Sequence, residues 1–124
     1  MKEFRFRKFQ VYKDARELRK FIKQLSKEKF PKEEQFCLIQ QLWRAMDSII
    51  LNIAEGCNRG TDKDFARYIN FSHTSLDEVI ACLDCAHDDK YINDIEHGEC
   101  LSKGEIIAKQ LTAFRKSLLE SPTK

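Results

Sequence analysis

The sequence predicts an all-α protein, and three observations carry that prediction. Gly and Pro are scarce, at four and two in 124 residues. Alternation of apolar and polar residues is confined to Phe4-Arg5-Phe6-Arg7, which leaves strands almost no foothold. Elsewhere apolar residues recur at steps of three and four, the spacing that lines one face of a helix. A chain of this length buries a core as one domain without disulfides or metal. Residues 1–124 are therefore expected to form a single antiparallel four-helix bundle preceded by a short arm, 1–9.

The arm carries Phe4, Phe6 and Phe9 as anchors and Arg5, Arg7 and Lys8 as charges. A first helix is predicted from Val11 to Lys29, with Ala15, Leu18, Ile22 and Leu25 inward. On its opposite side Lys13, Arg16, Lys20, Lys23 and Lys27 step by three and four into a continuous basic stripe, flanked by Asp14, Glu17 and Glu28. Such a stripe is either a solvated helix face or a surface that tracks phosphates. Phe30-Pro31 ends the helix, because Pro disfavours helical geometry in the residue before it, and the short connection makes the next helix an antiparallel neighbour.

The second helix is predicted without interruption from Glu33 to Glu55, closed by Gly56 as a left-handed C′ residue. About 23 residues would give a rod of roughly 35 Å. Leu38, Leu42, Ala45, Ile49 and Ile53 form its core face, but Phe36, Ile39, Trp43, Met46, Ile50, Leu51 and Ala54 occupy angles where a surface helix carries charge. Only Arg44 and Asp47 are charged between Glu34 and Glu55. A helix apolar nearly all round needs cover nearly all round, so Phe36, Trp43, Ile50 and Leu51 are expected to meet neighbouring subunits in a closed homo-oligomer. Gln41, Arg44, Ser48, Asn52 and Glu55 make one narrow polar stripe, expected to be buried, hydrogen-bonded and structural, closing the helix end near Arg59. The other use of such a stripe is to line a ligand cleft.

Cys57-Asn58-Arg59-Gly60 reads as a turn, and Thr61 with Asp64 as an N-cap. The third helix then runs to about Lys90 with a three-heptad seam of Phe65, Ile69, Ser72, Leu76, Val79, Leu83 and Ala86. After a turn at Tyr91-Ile92-Asn93, the fourth spans roughly Asp94 to Leu119 with Leu101, Gly104, Ala108, Leu111, Phe114 and Leu118 inward, stopped by Ser121-Pro122.

Charge is nearly balanced at +2 overall but unevenly placed. Residues 1–32 hold 12 Lys/Arg against 4 Asp/Glu, whereas 33–124 hold 10 against 16. This puts a basic face on the arm and first helix. The odd number of cysteines, five, and a charged N-terminus without an apolar signal core indicate a reducing cytoplasm. No apolar run is long enough to span a membrane.

The residues Phe30-Pro31-Lys32-Glu33-Glu34, Gln41-Leu42-Trp43-Arg44-Ala45, Ser48-Ile49 and Asn52-Ile53-Ala54-Glu55-Gly56 carry a family resemblance, joined by Arg59, Phe65, Tyr68, Ser75-Leu76 and Glu78. This pattern resembles the small four-helix-bundle proteins encoded in intervening sequences of bacterial 23S ribosomal RNA genes, and it spans nearly the whole chain. The resemblance implies an up-and-down bundle, a homopentameric ring and a connection to nucleic acid or the ribosome. A related accessory protein of diversity-generating retroelements is a pentamer with a basic, nucleic-acid-binding surface.

Enzymatic chemistry is not expected: there is no Gly-rich phosphate loop and no evident His, Ser and acid set. Cys82, Cys85, His97 and Cys100 would approach one another if the last two helices fold back about Ile92, and four soft ligands resemble a zinc site. Zinc cysteines favour tight turns, however, and Cys82 and Cys85 fall within a helix where small apolar residues are wanted. Buried free thiols are the expectation, with no metal and no cofactor. The function expected is that of an oligomeric RNA- or DNA-binding or ribosome-associated accessory protein, using Arg5, Arg7, Lys8, Lys13, Arg16, Lys20, Lys23 and Lys27 on phosphates without base readout. The alternative is a scaffold for an unidentified protein partner.

Overall fold

A computed structural model describes residues 4–120. Within them the chain forms four α-helices: α1 Gln10–Lys29, α2 Leu38–Cys57, α3 Asp62–Asp88 and α4 Asp94–Glu120, with 3-10 turns at Arg5–Lys8 and Lys32–Glu34. Each helix packs on its neighbour in sequence, and α1 closes the ring of helices onto α4. Ties between helices run antiparallel, from Arg19 to Asp47, Ser72 to Ile49, Asp84 to His97 and Asp14 to Gln110. The bundle is thus up-and-down. Ser121-Pro122, expected to stop α4, lies outside the described residues.

The inward faces follow the sequence periodicity closely. Ala15, Leu18, Ile22 and Leu25 of α1 are buried, as is every residue of the α3 seam from Phe65 to Ala86. Ser72 is the polar member of that seam and is fully buried because its hydroxyl donates to the Ile49 carbonyl across the α2–α3 interface at 2.8 Å. Thr61 caps α3 by accepting from the Asp64 N–H at 3.0 Å. The start of α4 has a reciprocal cap that the sequence reading passed over. Asn93 accepts from the Glu96 N–H and Glu96 from the Asn93 N–H, both at 2.8 Å.

Three expectations are corrected. The second helix does not begin at Glu33. Lys32–Glu34 is a 3-10 turn and Cys37 leaves helical geometry, so α2 starts at Leu38 and Phe36 projects outward, 78 % exposed. Glu34 is the reason for the break: one oxygen accepts from the Leu38 N–H and the other from the Tyr91 hydroxyl at 2.6 Å, which ties the turn to the far α3–α4 connection. That hydrogen bond to a carboxylate, with some burial, raises the Tyr91 hydroxyl to about 12. In α4, Leu101 faces outward, and the buried face at that level is Cys100, Gly104, Ile107 and Leu111.

The third correction concerns Gly56, which is not a left-handed C′ residue. The helix runs through it to Cys57, and its role is close approach. A Cβ there would lie 2.5 Å from Cβ of Tyr68 and 2.9 Å from a ring carbon of Phe65. The left-handed residue among those described is Lys90, φ 65°, where Tyr91 N–H reaches the Ala86 carbonyl and Lys90 N–H that of His87, closing α3 in a Schellman turn.

Gly56→Ala is therefore expected to lower stability by about 1–3 kcal/mol, because backbone-anchored atoms must move. Gly104 gives the contrast: the nearest atom to its added Cβ is the mobile Cδ1 of Ile80 at 2.9 Å. There the helical preference for Ala, about 1 kcal/mol, should offset the crowding and leave stability nearly unchanged. Urea midpoints for the two variants measure the difference, and equal losses would contradict the packing described.

Candidate nucleic-acid interface

The basic stripe occupies the solvent side of α1. Lys13, Arg16, Lys20 and Lys27 are exposed, Lys23 is half-buried, and Arg7 and Lys8 extend the row along the arm. Among the described residues the stripe makes one ion pair, Lys20 to Glu17 at 3.3 Å, between two well-exposed groups. Asp14, expected to dilute the stripe, turns toward α4, where the Gln110 amide donates to it at 2.8 Å. Arg19, outside the stripe, reaches Asp47 of α2 at 2.7 Å. Arg5 is partly taken by the fold itself, since its guanidinium donates to the Cys57 carbonyl at 3.2 Å and lies over the Phe9 ring. Phe6 and Phe9 pin the arm through Tyr12, Phe65 and Phe114.

Aromatic faces accompany the stripe. Arg16 sits over Tyr12, with its guanidinium carbon 5.7 Å from the ring centre. Lys23 and Lys27 stand over Trp43 of α2, their ammonium nitrogens 4.3 Å and 5.7 Å from its ring centre. The Tyr12–Arg16 pair has the i, i+4 spacing of helix neighbours and could have been read from the sequence. The Trp43 contact joins two helices and could not.

Two residues expected at a subunit interface are used inside the chain. Ile50 belongs to the bundle's own core at 9 % exposure, and Trp43 is held to α1 by its indole N–H donating to Ser26 Oγ at 2.9 Å. Met46, also on the supposed outer face, is fully buried. The reason is geometric: α2 lies between α1 and α3, so two neighbours cover most of its circumference. Phe36 and Leu51 remain exposed, Leu51 at 63 %.

The polar stripe of α2 is split in the same way. Asn52 donates to the Ser48 carbonyl and hydroxyl at 2.9 and 3.1 Å, and Ser75 of α3 donates to Ser48 Oγ at 2.9 Å. Gln41, Arg44 and Glu55 are exposed in the single chain. Arg44, Ser48, Asn52 and Glu55 line a shallow groove of about 620 Å³ with Trp43 and Leu51. Arg59 pairs with Asp64 at 2.9 Å rather than with the stripe, and Arg67 reaches the same carboxylate at 2.8 Å, so the two guanidinium groups hold Asp64 below the usual carboxylate range.

The cysteine and histidine set does not converge. Cys82 and Cys100 are buried, Cys85 is exposed, and His97 turns to Asp84 at 2.8 Å while stacking on His87, ring centres 4.1 Å apart. Among the described residues no three His, Cys, Asp or Glu side chains gather as metal ligands, and no helix is long and apolar enough to cross a membrane.

Fold and surface together define a four-helix-bundle protein with a basic, aromatic-backed face. Residues 7–113 match the family model of the 23S rRNA-intervening sequence protein, and the chain belongs to that family. No curated protein matches it significantly. Its fold is similar to that in the 1.70 Å crystal structure of a protein of unknown function from the S23 ribosomal protein family of Bacteroides thetaiotaomicron VPI-5482. That similarity has a TM-score of 0.77 at 23 % identity and covers 86 % of this chain and 98 % of that one.

Burial raises the Cys82 and Cys100 thiols to about 11 and, against the influence of Arg5, raises that of Cys57. At pH 8 these three thiols stay protonated and enclosed. A thiol reagent is expected to modify Cys37 and Cys85 rapidly, and the remaining three only on denaturation. Five fast-reacting thiols in the native protein would contradict this.

Proposed function

We propose that the chain is a non-enzymatic, oligomeric RNA-binding protein of the bacterial cytoplasm, engaging the phosphate backbone of structured RNA through the arm and the α1 stripe. The observation that carries this reading is the placing of the stripe. Lys13, Arg16, Lys20 and Lys27 project from the solvent side of α1 with a single weak ion pair to the described residues, while Asp14 is drawn to α4 and Asp47 to Arg19. Cations left in water beside a low-dielectric wall focus a positive field that attracts polyanions. The family's rRNA-derived name supports the choice of RNA. In a homopentameric ring the stripe repeats around the assembly, and multivalency converts weak single contacts into useful affinity.

A second reading, a protein-interaction scaffold, draws on exposed apolar side chains. Phe36, Ile95 and Ile106 stand out at 78, 81 and 56 % exposure. The same residues serve self-association equally well, so a ring and a scaffold call on one kind of surface.

Arg16→Glu, Lys20→Glu and Lys23→Glu in one variant should abolish retention of structured RNA in a filter assay while the mass by light scattering stays that of the wild-type oligomer. For the wild type, log affinity against log salt should fall with a slope approaching the number of phosphates engaged. Absence of salt-sensitive binding to RNA or DNA at low ionic strength would favour the scaffold, and a monomeric mass would remove the ring.

A further inference from the structure

We infer that Trp43 is a stacking platform for one unpaired base of a bound RNA, with Lys23 and Lys27 taking the flanking phosphates. This deepens the RNA-binding reading and rests on it. The indole is set for such a role by its edge. Its N–H donates to Ser26 Oγ at 2.9 Å, and Ser26 is fully buried with its own hydroxyl turned to the Ile22 carbonyl at 2.8 Å, so the ring plane is fixed before any ligand arrives. The ring packs partly against the bundle core, and the ammonium groups of Lys23 and Lys27, on long flexible stems, lie over it. A base has a π-face that replaces an ammonium over an indole without strain, and the displaced lysines have only to swing a few ångströms to meet the phosphates on either side.

The surroundings suit a nucleotide. The platform lies where the basic stripe of α1 meets the α2 groove, so a backbone following the stripe passes its edge. Gln40 and Arg44 border the groove beside Trp43 and offer hydrogen bonds to a base edge. Asp47, which lines the groove with Trp43, is already ion-paired with Arg19 at 2.7 Å, and Glu55 lies at the opposite end of the groove, three turns along α2. The site needs the Trp43 end and not Leu51, so a neighbouring subunit over Leu51 does not compete with it. Bases within a duplex present no free face, which makes loops, bulges and single strands the preferred ligands.

Trp43 is the single tryptophan of the chain, so its emission reports on this site alone. Titration with an eight-nucleotide oligouridylate should quench that emission at low salt. An abasic oligonucleotide of equal length supplies phosphates without bases, and an RNA duplex supplies bases without free faces; both should leave the emission largely intact. Trp43→Ala should weaken oligouridylate binding about tenfold and duplex binding less than about twofold, with Trp43→Phe, which keeps a ring, retaining most of the affinity. Equal quenching by the abasic strand would show mere displacement of the lysines and overturn the platform. Retention of RNA with no quenching would also overturn it while leaving the backbone-binding function standing. Loss of all RNA binding by the wild type would remove both.

Discussion

The apolar circumference of α2 has to be covered, and the chain covers it from two sides. α1 is tied to Trp43 through Ser26, and α3 to the Ile49 carbonyl through Ser72, with the α2–α3 seam tight enough that a Cβ on Gly56 would crowd Tyr68 and Phe65. The other features follow from that enclosure. The Ser72 hydroxyl must find the Ile49 carbonyl, Ser26 must receive the Trp43 indole, and the arm must fold back so that Arg5 satisfies a carbonyl at the end of α2. These three ties each join separate elements of the bundle, and they specify its register more sharply than apolar contacts alone.

The same enclosure decides what remains outside. Once α2 is covered by its own chain, the apolar surface left for a partner is reduced to scattered side chains, with Phe36 freed by the break at Cys37 and Leu51 at the groove. The basic row is left on the far side of α1, where its charges have few acidic neighbours. At the border between α1 and α2 the fold sets long cationic stems above an aromatic face, and it is there that the proposed RNA contact falls.

The polar residues of α2 show how one stripe serves two purposes. All four of Arg44, Ser48, Asn52 and Glu55 line the groove, but Ser48 and Asn52 are also held in a small network with Ser75 of α3, whereas Arg44 and Glu55 stand exposed. Periodicity places all five residues along one line of the helix, yet the line falls at the boundary between buried and open surface, so its members divide according to which side of the boundary each side chain leans.

The sequence by itself determined the class of fold, the four helices to within a residue or two at most of their ends, the core faces of α1 and α3, and the basic stripe, because each depends on spacing within one helix. Even the family was legible, from the Asn52-Ile-Ala-Glu-Gly56 run and its neighbours. The tertiary structure alone decided that Glu34 breaks the second helix, that Gly56 is needed for approach rather than for its φ, that Ile50 and Met46 are internal, that Cys100 rather than Leu101 faces the core, and that Trp43 lies beneath Lys23 and Lys27. These outcomes share one physical reason. Each is settled by a group on another element of the bundle, or by a choice between adjacent helix positions that only a packed neighbour can make, and periodicity carries no information about either.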